Sequence, residues 1–512
     1  MSLFIVIFVI FFILLYIYST RTFGYWKIRG VKGPKPYPVV GTHLELYLIR
    51  KSPTQRTIED YYKWNDEKLI GWFRSTRPEL IIKNPEIIHR VLATDFGYFY
   101  PRGFMQERSV IEPLLRNLFF ADGDLWRLLR QRMTPAFTSG KLKAMFPLIV
   151  ERAEHLQSRL INLTSNNTPI DARDLMARFT TDFIGACGFG LNADSLNEEN
   201  SPFRQLGNNI FNVSPTTLFK FVLKETMPYI CRHLKVLGHL EKEVFNLVYN
   251  IIEERGGKPS IRNDFIDLML ECQQKGVMTC DSIEKTVESD GAPVKVSAEL
   301  TNELIAAQVF IFFAAGFETS SSATSFTLHQ LAFHPDIQKK VQADIDNVLA
   351  RNNNKLSYDA IKEMTYLDWT FKEGMRLFPS LGLLKRECAK KYTIPKLDIT
   401  IDEGVSVVVP VHALHHDPKY FKDPELFNPE RFSPKNFTEL CKKVYMPFGF
   451  GHRACIGERL GLMQSLAGLA AILSKFSVEP APQSLRHPIV DPKLGVVQGF
   501  YNGLPLYFRK RD

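Results

Sequence analysis

The stretch FGFGHRACIG, Phe448 to Gly457, is rich in aromatic residues and glycine up to a single cysteine, and the pattern IGERLGLMQSLAGLAAIL begins directly after it. From Leu460 onward that pattern is apolar on nearly all faces, which predicts a buried helix. Cys455 therefore stands where a loop becomes a core helix. Unpaired N–H groups and the positive end of the helix dipole favour a thiolate there. Gly449, Gly451 and Gly457 permit positive φ and close approach of backbone to a neighbouring group. A metal-bound thiolate that accepts backbone hydrogen bonds meets these conditions, and so does a structural cysteine beside a loop. The cysteine alone does not decide between them.

Composition narrows the classes. The chain has 512 residues, 45% hydrophobic and 23% charged, which suffices for a substantial core. Its 39 phenylalanines favour large apolar cavities or a membrane-facing surface. The net charge of +9 suits an acidic partner or an anionic membrane surface. No basic cluster falls on a recognised nucleic-acid motif, so no nucleic-acid partner is expected. The seven cysteines are odd in number and form no CxxC pair, which points to a reducing compartment rather than a disulfide framework.

The N-terminus differs from the rest. LFIVIFVIFFILLYIY, Leu3 to Tyr18, is uninterrupted apolar sequence without the N-terminal charge or small-residue cleavage site of a signal peptide. Residues 1–20 are expected to form a retained transmembrane anchor. Arg21, Lys27, Arg29, Lys32 and Lys35 follow and keep the C-terminal side cytosolic. GPKPYPVVG (Gly33 to Gly41) completes a basic, proline-rich hinge over 21–41, and residues 42–512 form one catalytic body.

Within that body KLIGWF and ELIIK read as a β-hairpin. Helical periodicity dominates the middle of the chain. Short strands return at GVSVVVPV (Gly404 to Val411) and around Phe500 to Phe508, where Asn502-Gly503 marks a turn. DSIEKTVESDGAPVK, Asp281 to Lys295, reads as a mobile surface loop.

Three further constellations carry chemistry. FKEGMRLFP (Phe371 to Pro379) puts Glu373 and Arg376 on one helix face, able to pair, and FNPERF supplies Arg431 as a second cation. FFAAGFETS (Phe312 to Ser320) places Glu318 beside Thr319 inside an apolar helix, a costly position without water or a partner. Gly316 thins that helix, and the Thr319 hydroxyl can bond back to a carbonyl one turn earlier.

Taken together, FxxGxxxCxG (Phe448 to Gly457), ExxR (Glu373, Arg376), PERF (Pro429 to Phe432), AGFETS (Ala315 to Ser320) and WRLLR (Trp126 to Arg130) occur in one chain and in order. The set resembles the cytochrome P450 superfamily of haem-thiolate monooxygenases, from the anchor to the C-terminal hairpin. RNDFIDL, HPDIQKKVQ, MTYLDW and YMPFGFGHRACIGERLGLMQ make it most similar to the insect microsomal, xenobiotic-metabolising type. Two departures are His452, where relatives commonly carry proline, and Gly374 inside the ExxR helix.

The resemblance implies a mostly α fold with small β-sheets, a prism-like helical body holding haem b between distal and proximal helices. It implies Cys455 as the axial ligand of the haem iron, with Phe448 in its loop, and Trp126, Arg130, Arg386 and Arg453 on the propionates. Glu373, Arg376 and Arg431 become the buried network that holds the ligand loop. Ala315, Gly316, Glu318 and Thr319 form the oxygen-activation groove, where Thr319 holds water and Glu318 relays protons. Substrate-pocket candidates by position are Phe104, Phe119, Phe120, Phe310, Phe313, Leu381 and Leu383. HALHH offers His412, His415 and His416, but no further ligands accompany them and a zinc site is not expected.

The chain carries no flavin or NADPH motif, so electrons must arrive from another protein. The resemblance implies NADPH–cytochrome P450 reductase, with a cytochrome b-type protein as a second donor, on the endoplasmic reticulum membrane. Lys442, Lys443, Arg127 and Arg132 suit an acidic flavodomain, and are equally consistent with a solvated basic face. The expected function is oxygen insertion into lipophilic compounds, foreign ones first. Hydroxylation of an endogenous steroid, fatty acid or hormone, NADPH-independent hydroperoxide isomerisation, and a non-catalytic haem sensor or lipid carrier are the alternatives. The topology has a direct check. Asn162, Asn166, Asn212 and Asn436 head glycosylation triplets, and with a cytosolic body none carries sugar. Endoglycosidase-sensitive mass on the native protein would contradict that orientation.

Overall fold

The computed structural model describes residues 2–511 except 106, 108, 166, 191–194, 197, 199, 200, 212, 213, 263 and 286–291. Helix α1 (Ser2–Thr20) carries almost wholly exposed apolar side chains, and the run Leu3–Ile28 is long and apolar enough to cross a membrane. The basic, proline-rich segment behind it lies against the body. Helix α2 (Tyr25–Ile28) buries Trp26, whose indole Nε1–H donates to the Trp72 carbonyl at 2.9 Å. The Gly71 N–H donates to the Lys32 carbonyl at 2.8 Å, and Gly41 bridges to Arg74.

That segment packs on a four-stranded sheet. Strands β1 (Leu69–Arg74) and β2 (Arg77–Ile82) form the hairpin the sequence predicts, with Trp72 opposite Glu79. Strand β3 (Ile170–Asp171) belongs to a second sheet. β4 (Leu384–Glu387) pairs antiparallel with β5 (Ser406–Val409), which runs parallel to β2, giving the order β1-β2-β5-β4. Every residue of β5 is buried, as a central strand covered on both faces requires. β6 (Phe476–Pro480) and β7 (Pro505–Lys510) complete the second sheet, and Asn502 and Gly503 ahead of β7 both take positive φ (61° and 68°). The polar loop read at 281–295 begins and ends in a short hairpin, Met278–Asp281 with Lys295–Ala298; its centre, 286–291, lies outside the described residues.

Helices α3 (Gly123–Met133), α4 (Ala172–Ile184) and α5 (Pro215–Thr226) precede the longest, α6 (Asn302–Phe333). α6 is the axis of the body, capped by Thr301, whose Oγ1 accepts the Leu304 N–H at 3.2 Å. Its C-terminal half is polar yet buried because the hydroxyls bond back to their own helix. Ser321 donates to the Glu318 carbonyl (3.0 Å), Thr324 to Ser320 (2.7 Å) and Thr327 to Ala323 (2.8 Å).

Missing side chains set how closely the helices meet. A Cβ on Gly316 would lie 2.3 Å from Ile184 Cδ1, so α4 crosses α6 there. α7 (Thr365–Leu377) meets α6 where a Cβ on Gly374 would lie 2.3 Å from Thr327 Oγ1. The glycine that lowers helix propensity in ExxR is thus a packing requirement. α8 (Glu458–Lys475) closes on α4 at Gly468, 2.8 Å from Phe179 by the same measure.

The linker contact yields a test. A Cβ on Gly33 would lie 2.0 Å from the Gly71 carbonyl oxygen, a backbone atom that cannot turn aside. Gly33→Ala should lower stability by about 1–3 kcal/mol, read as a shifted denaturant midpoint. An unchanged midpoint would mean the linker does not dock in solution.

Candidate functional site

The loop ahead of α8 is shaped by two left-handed glycines, Gly449 (φ 77°) and Gly451 (φ 74°). A Cβ on Gly451 would sit 1.9 Å from the Leu92 carbonyl oxygen, so only glycine fits. The turn brings the Cys455 N–H to the Phe448 carbonyl at 2.8 Å. The Cys455 side chain is exposed, unlike most cysteines here. Surrounding protein bulk pushes its thiol pKa up, while the Gly457 N–H and the cations Arg130 and Arg102 oppose that shift. The α6 face carrying Ala315 (exposed) and Thr319 (half-buried) is open, while Gly316 is the point where α4 packs and the rest of that helix is largely buried. Helix and loop meet beside Gly461, where an added Cβ would be 3.9 Å from both Ser320 Oγ and a Phe448 ring carbon. The Thr319 hydroxyl donates to the Ala315 carbonyl at 2.6 Å, the back-bond expected from the sequence.

Four arginines line this region, and the guanidinium of Arg453 donates to the Asp122 carboxylate. Arg453 donates to the Ala121 carbonyl (2.9 Å) and Asp122 (3.0 Å), and its guanidinium lies 4.4 Å from the Trp126 ring centre. Arg130 donates to the Ala454 carbonyl at 2.9 Å. Arg102, which sequence reasoning missed, donates to the carbonyls of Phe119 (2.8 Å) and Arg453 (3.2 Å). Arg386 donates to the Lys385 carbonyl (2.8 Å), and its buried Nε has no partner among the described residues. Burial pulls Arg386 down to about 9, helped by Arg102, and pulls Arg102 itself down to about 10. Such depression marks cations held out of water without enough counter-charge. Asp122, also missed, spends its oxygens on the N–H groups of Arg102 (2.7 Å) and Gly103 (3.2 Å) as well as on Arg453.

The second constellation assembles as the spacing predicts. Arg376 and Glu373 are fully buried and joined by two bonds, Nε to Oε2 at 2.7 Å and Nη2 to Oε1 at 2.9 Å. Arg376 also donates to the carbonyls of His415 (2.8 Å) and Pro424 (2.7 Å). Glu373 additionally accepts from the Asn428 N–H (2.9 Å) and Arg431 (3.2 Å). His415 supplies the link to the thiol loop: its Nε2 accepts the Met446 N–H at 3.1 Å, and its Nδ1 faces the Arg376 carbonyl at 3.3 Å. Burial and Arg376 hold its pKa near 3, so it stays neutral and keeps that acceptor. The HALHH triplet is thus used in hydrogen bonds. His412 meets Gln498 (3.1 Å) and His416 meets Glu425 (2.8 Å), and no metal-holding cluster occurs among the described residues.

Other candidates scatter. Phe104, Phe119 and Phe120 do cluster, with ring centres 5.0–5.6 Å apart. Phe310 and Phe313 do not join them. They are 3% and 1% exposed in the core, and Phe313 packs on Phe189 and Phe203. Two and five residues before Ala315, they fall on the opposite helix face, which the 3.6-residue period could have shown. Leu383 turns onto the sheet cluster of Ile70, Trp72, Ile81 and Val408, and Leu381 is half-buried. Glu318 is paired with Arg173 of α4. His452 stacks on Phe96, ring centres 4.7 Å apart. Arg132 is spent on the carbonyls of Cys272 and Val277, and Lys442 on Glu439.

An exposed thiol at a helix N-terminus, in a loop that meets α6 beside its open face and has cations in excess of carboxylate around it, fits a planar metal complex bearing two carboxylates. Haem is such a group, and the unpartnered Arg386 Nε is the observation that asks for its anions. The comparisons agree. The family model described as Cytochrome P450 matches residues 31–503. The chain is 37% identical over 484 residues to "Cytochrome P450 6B6" of Helicoverpa armigera, covering 94% of each chain. It is 36% identical over 476 residues to "Cytochrome P450 6B1" of Papilio polyxenes, covering 92% of each. It is 37% identical over 479 residues to "Probable cytochrome P450 6a13" of Drosophila melanogaster, covering 91% of this chain and 90% of that one. The chain belongs to the cytochrome P450 family, and by class it is a haem-thiolate monooxygenase.

Removing one member of the buried pair exposes the design. Arg376→Ala leaves Glu373 facing only Arg431 and the Asn428 N–H, at a cost of about 3–5 kcal/mol. The expected result is expressed protein without stoichiometric haem, read by absorbance against protein mass. Normal haem content would refute the structural role.

Proposed function

We propose that this protein is a membrane-anchored monooxygenase that inserts one oxygen atom from O2 into lipophilic, chiefly foreign, compounds, with electrons from NADPH delivered by a reductase. The observation that carries the reading is the open face of α6 at Ala315 and Thr319, beside Ser320, where the helix meets the Cys455 loop. Cys455 holds the haem iron; Arg102, Arg130, Arg386 and Arg453, with Trp126, hold its propionates. When bound, the haem supplies oxygen activation, which a thiolate ligand favours by pushing electron density toward O–O cleavage.

The residues of the chain do the rest. Ala315 keeps side-chain bulk away from the groove. Thr319 has its proton on the Ala315 carbonyl, so its oxygen lone pairs are free to accept from a water. Glu318, one residue back, is a carboxylate paired with Arg173 and would relay a proton to that water only after taking one up from solvent on the α4 side. Phe104, Phe119 and Phe120 form an apolar wall suited to lipophilic substrates. The exposed apolar α1 and the basic residues behind it support a cytosol-facing body on the endoplasmic reticulum membrane.

The test uses membranes holding the protein and the reductase, with and without NADPH. The panel is plant toxins, insecticides, steroids, fatty acids and lipid hydroperoxides, read by mass. NADPH-dependent gain of one oxygen on several unrelated foreign compounds is expected. Thr319→Ala should keep NADPH consumption but divert most of it to hydrogen peroxide. Reaction of hydroperoxides alone, without NADPH, would overturn the mechanism.

A further inference from the structure

Lys385 lies on β4 between the pocket candidate Leu383 and the cation Arg386, and its charge meets the protein at one long ion pair. Its side chain is 8% exposed. Among the described residues its ammonium donates no hydrogen bond, and the nearest carboxylate oxygen, Glu79 Oε1, stands 3.9 Å away. That carboxylate is already held: Arg74 reaches Oε1 at 3.0 Å and His43 reaches Oε2 at 2.9 Å. Arg74 is in turn tied to Glu225 of α5 at 2.9 Å. The ammonium thus has one long ion pair in a side chain largely withdrawn from water, which leaves donor capacity for a further acceptor.

The surroundings say what would relieve it. The Lys385 Nζ lies 5.9 Å from the ring centre of Phe104, which packs on Phe119 and Phe120 at 5.5 and 5.6 Å. The chain before Phe104 is pressed onto β4. The Glu387 N–H donates to the Pro101 carbonyl at 2.8 Å, and a Cβ on Gly103 (φ 66°) would lie 2.5 Å from Glu387 Oε2. The aromatic wall is thereby fixed beside the ammonium. Burial, with Arg74 adding to it, lowers the lysine to about 8, consistent with a cation short of acceptors. An apolar wall ending at one loosely paired cation is the shape complement of an amphipathic anion.

We propose that Lys385 is a specificity residue that binds the carboxylate of a lipophilic acid whose hydrocarbon part lies on Phe104, Phe119 and Phe120. This rests on the reading of those phenylalanines as the substrate wall of a monooxygenase. An ammonium–carboxylate hydrogen bond in a site screened from water gives about tenfold or more in affinity.

The probes are dodecanoate and methyl dodecanoate, titrated at pH 7 into the purified holoprotein and read by the optical change of the haem on ligand binding. The acid is expected to bind about tenfold tighter than the ester. Lys385→Gln should abolish that preference while still binding the ester, which reports an intact fold. Lys385→Arg should keep the preference. Equal affinity of acid and ester in the unsubstituted protein, or a preference that survives Lys385→Gln, would overturn the inference and leave Lys385 as a counter-charge to Glu79. The two readings fail separately. NADPH-dependent oxygenation of neutral lipophiles without acid selectivity refutes only the Lys385 site. Acid selectivity lost on Lys385→Gln, in a protein that oxygenates nothing with NADPH, refutes only the oxygenase chemistry.

Discussion

Glu373 and Arg376 are wholly removed from water, and the loop that carries the thiol depends on how their charges are satisfied. A buried ion pair recovers its desolvation cost only when nearly every lone pair and proton finds a partner. Here the partners come from elsewhere in the chain: the carbonyls of His415 and Pro424 for Arg376, and Arg431 and the Asn428 N–H for Glu373. Satisfying the pair therefore draws three distant segments to one end of α7. His415 then passes the constraint on through the Met446 N–H, two residues before Phe448, whose carbonyl receives the Cys455 N–H. The ion pair is thus linked to the thiol through hydrogen bonds joined by the short backbone stretch Met446 to Phe448.

The opposite boundary of the site is electrostatic. Asp122 is bonded to the Arg453 guanidinium and to the Arg102 backbone N–H, and burial first, then the neighbouring Arg102, holds Arg386 below the usual guanidinium range. A dianion between them lifts that penalty, so cofactor binding and local stability are coupled. The same cations act on the thiol: Arg130 and Arg102 favour the Cys455 thiolate against the surrounding protein bulk that opposes it.

Much of this was legible in the chain because it is local. The Cys455 loop declares itself by glycines at fixed offsets, ExxR by helical spacing, and the β1–β2 hairpin by two apolar runs around a short polar break. What escaped was set by contacts across long separations. Arg102 and Asp122 sit in an irregular segment with no periodicity, and only the fold brings them under Arg453. His415 looked like part of a decoy metal triplet, and its role depends on Arg376 lying opposite. Gly374 lowers helix propensity when read locally, and only the packing of Thr327 against it gives the reason for it. Phe310 and Phe313 were placed by proximity to the groove, although their phase on α6 turns them to the core.

The central claim is that Cys455 is the sulfur ligand the whole arrangement serves to present. Iron-edge X-ray absorption on the purified holoprotein tests it most directly, comparing the unsubstituted chain with Cys455→Ala. The account requires one sulfur scatterer in the iron's first coordination shell, lost in the variant. A shell of nitrogen and oxygen alone in the unsubstituted protein, or a sulfur retained after Cys455→Ala, would contradict it.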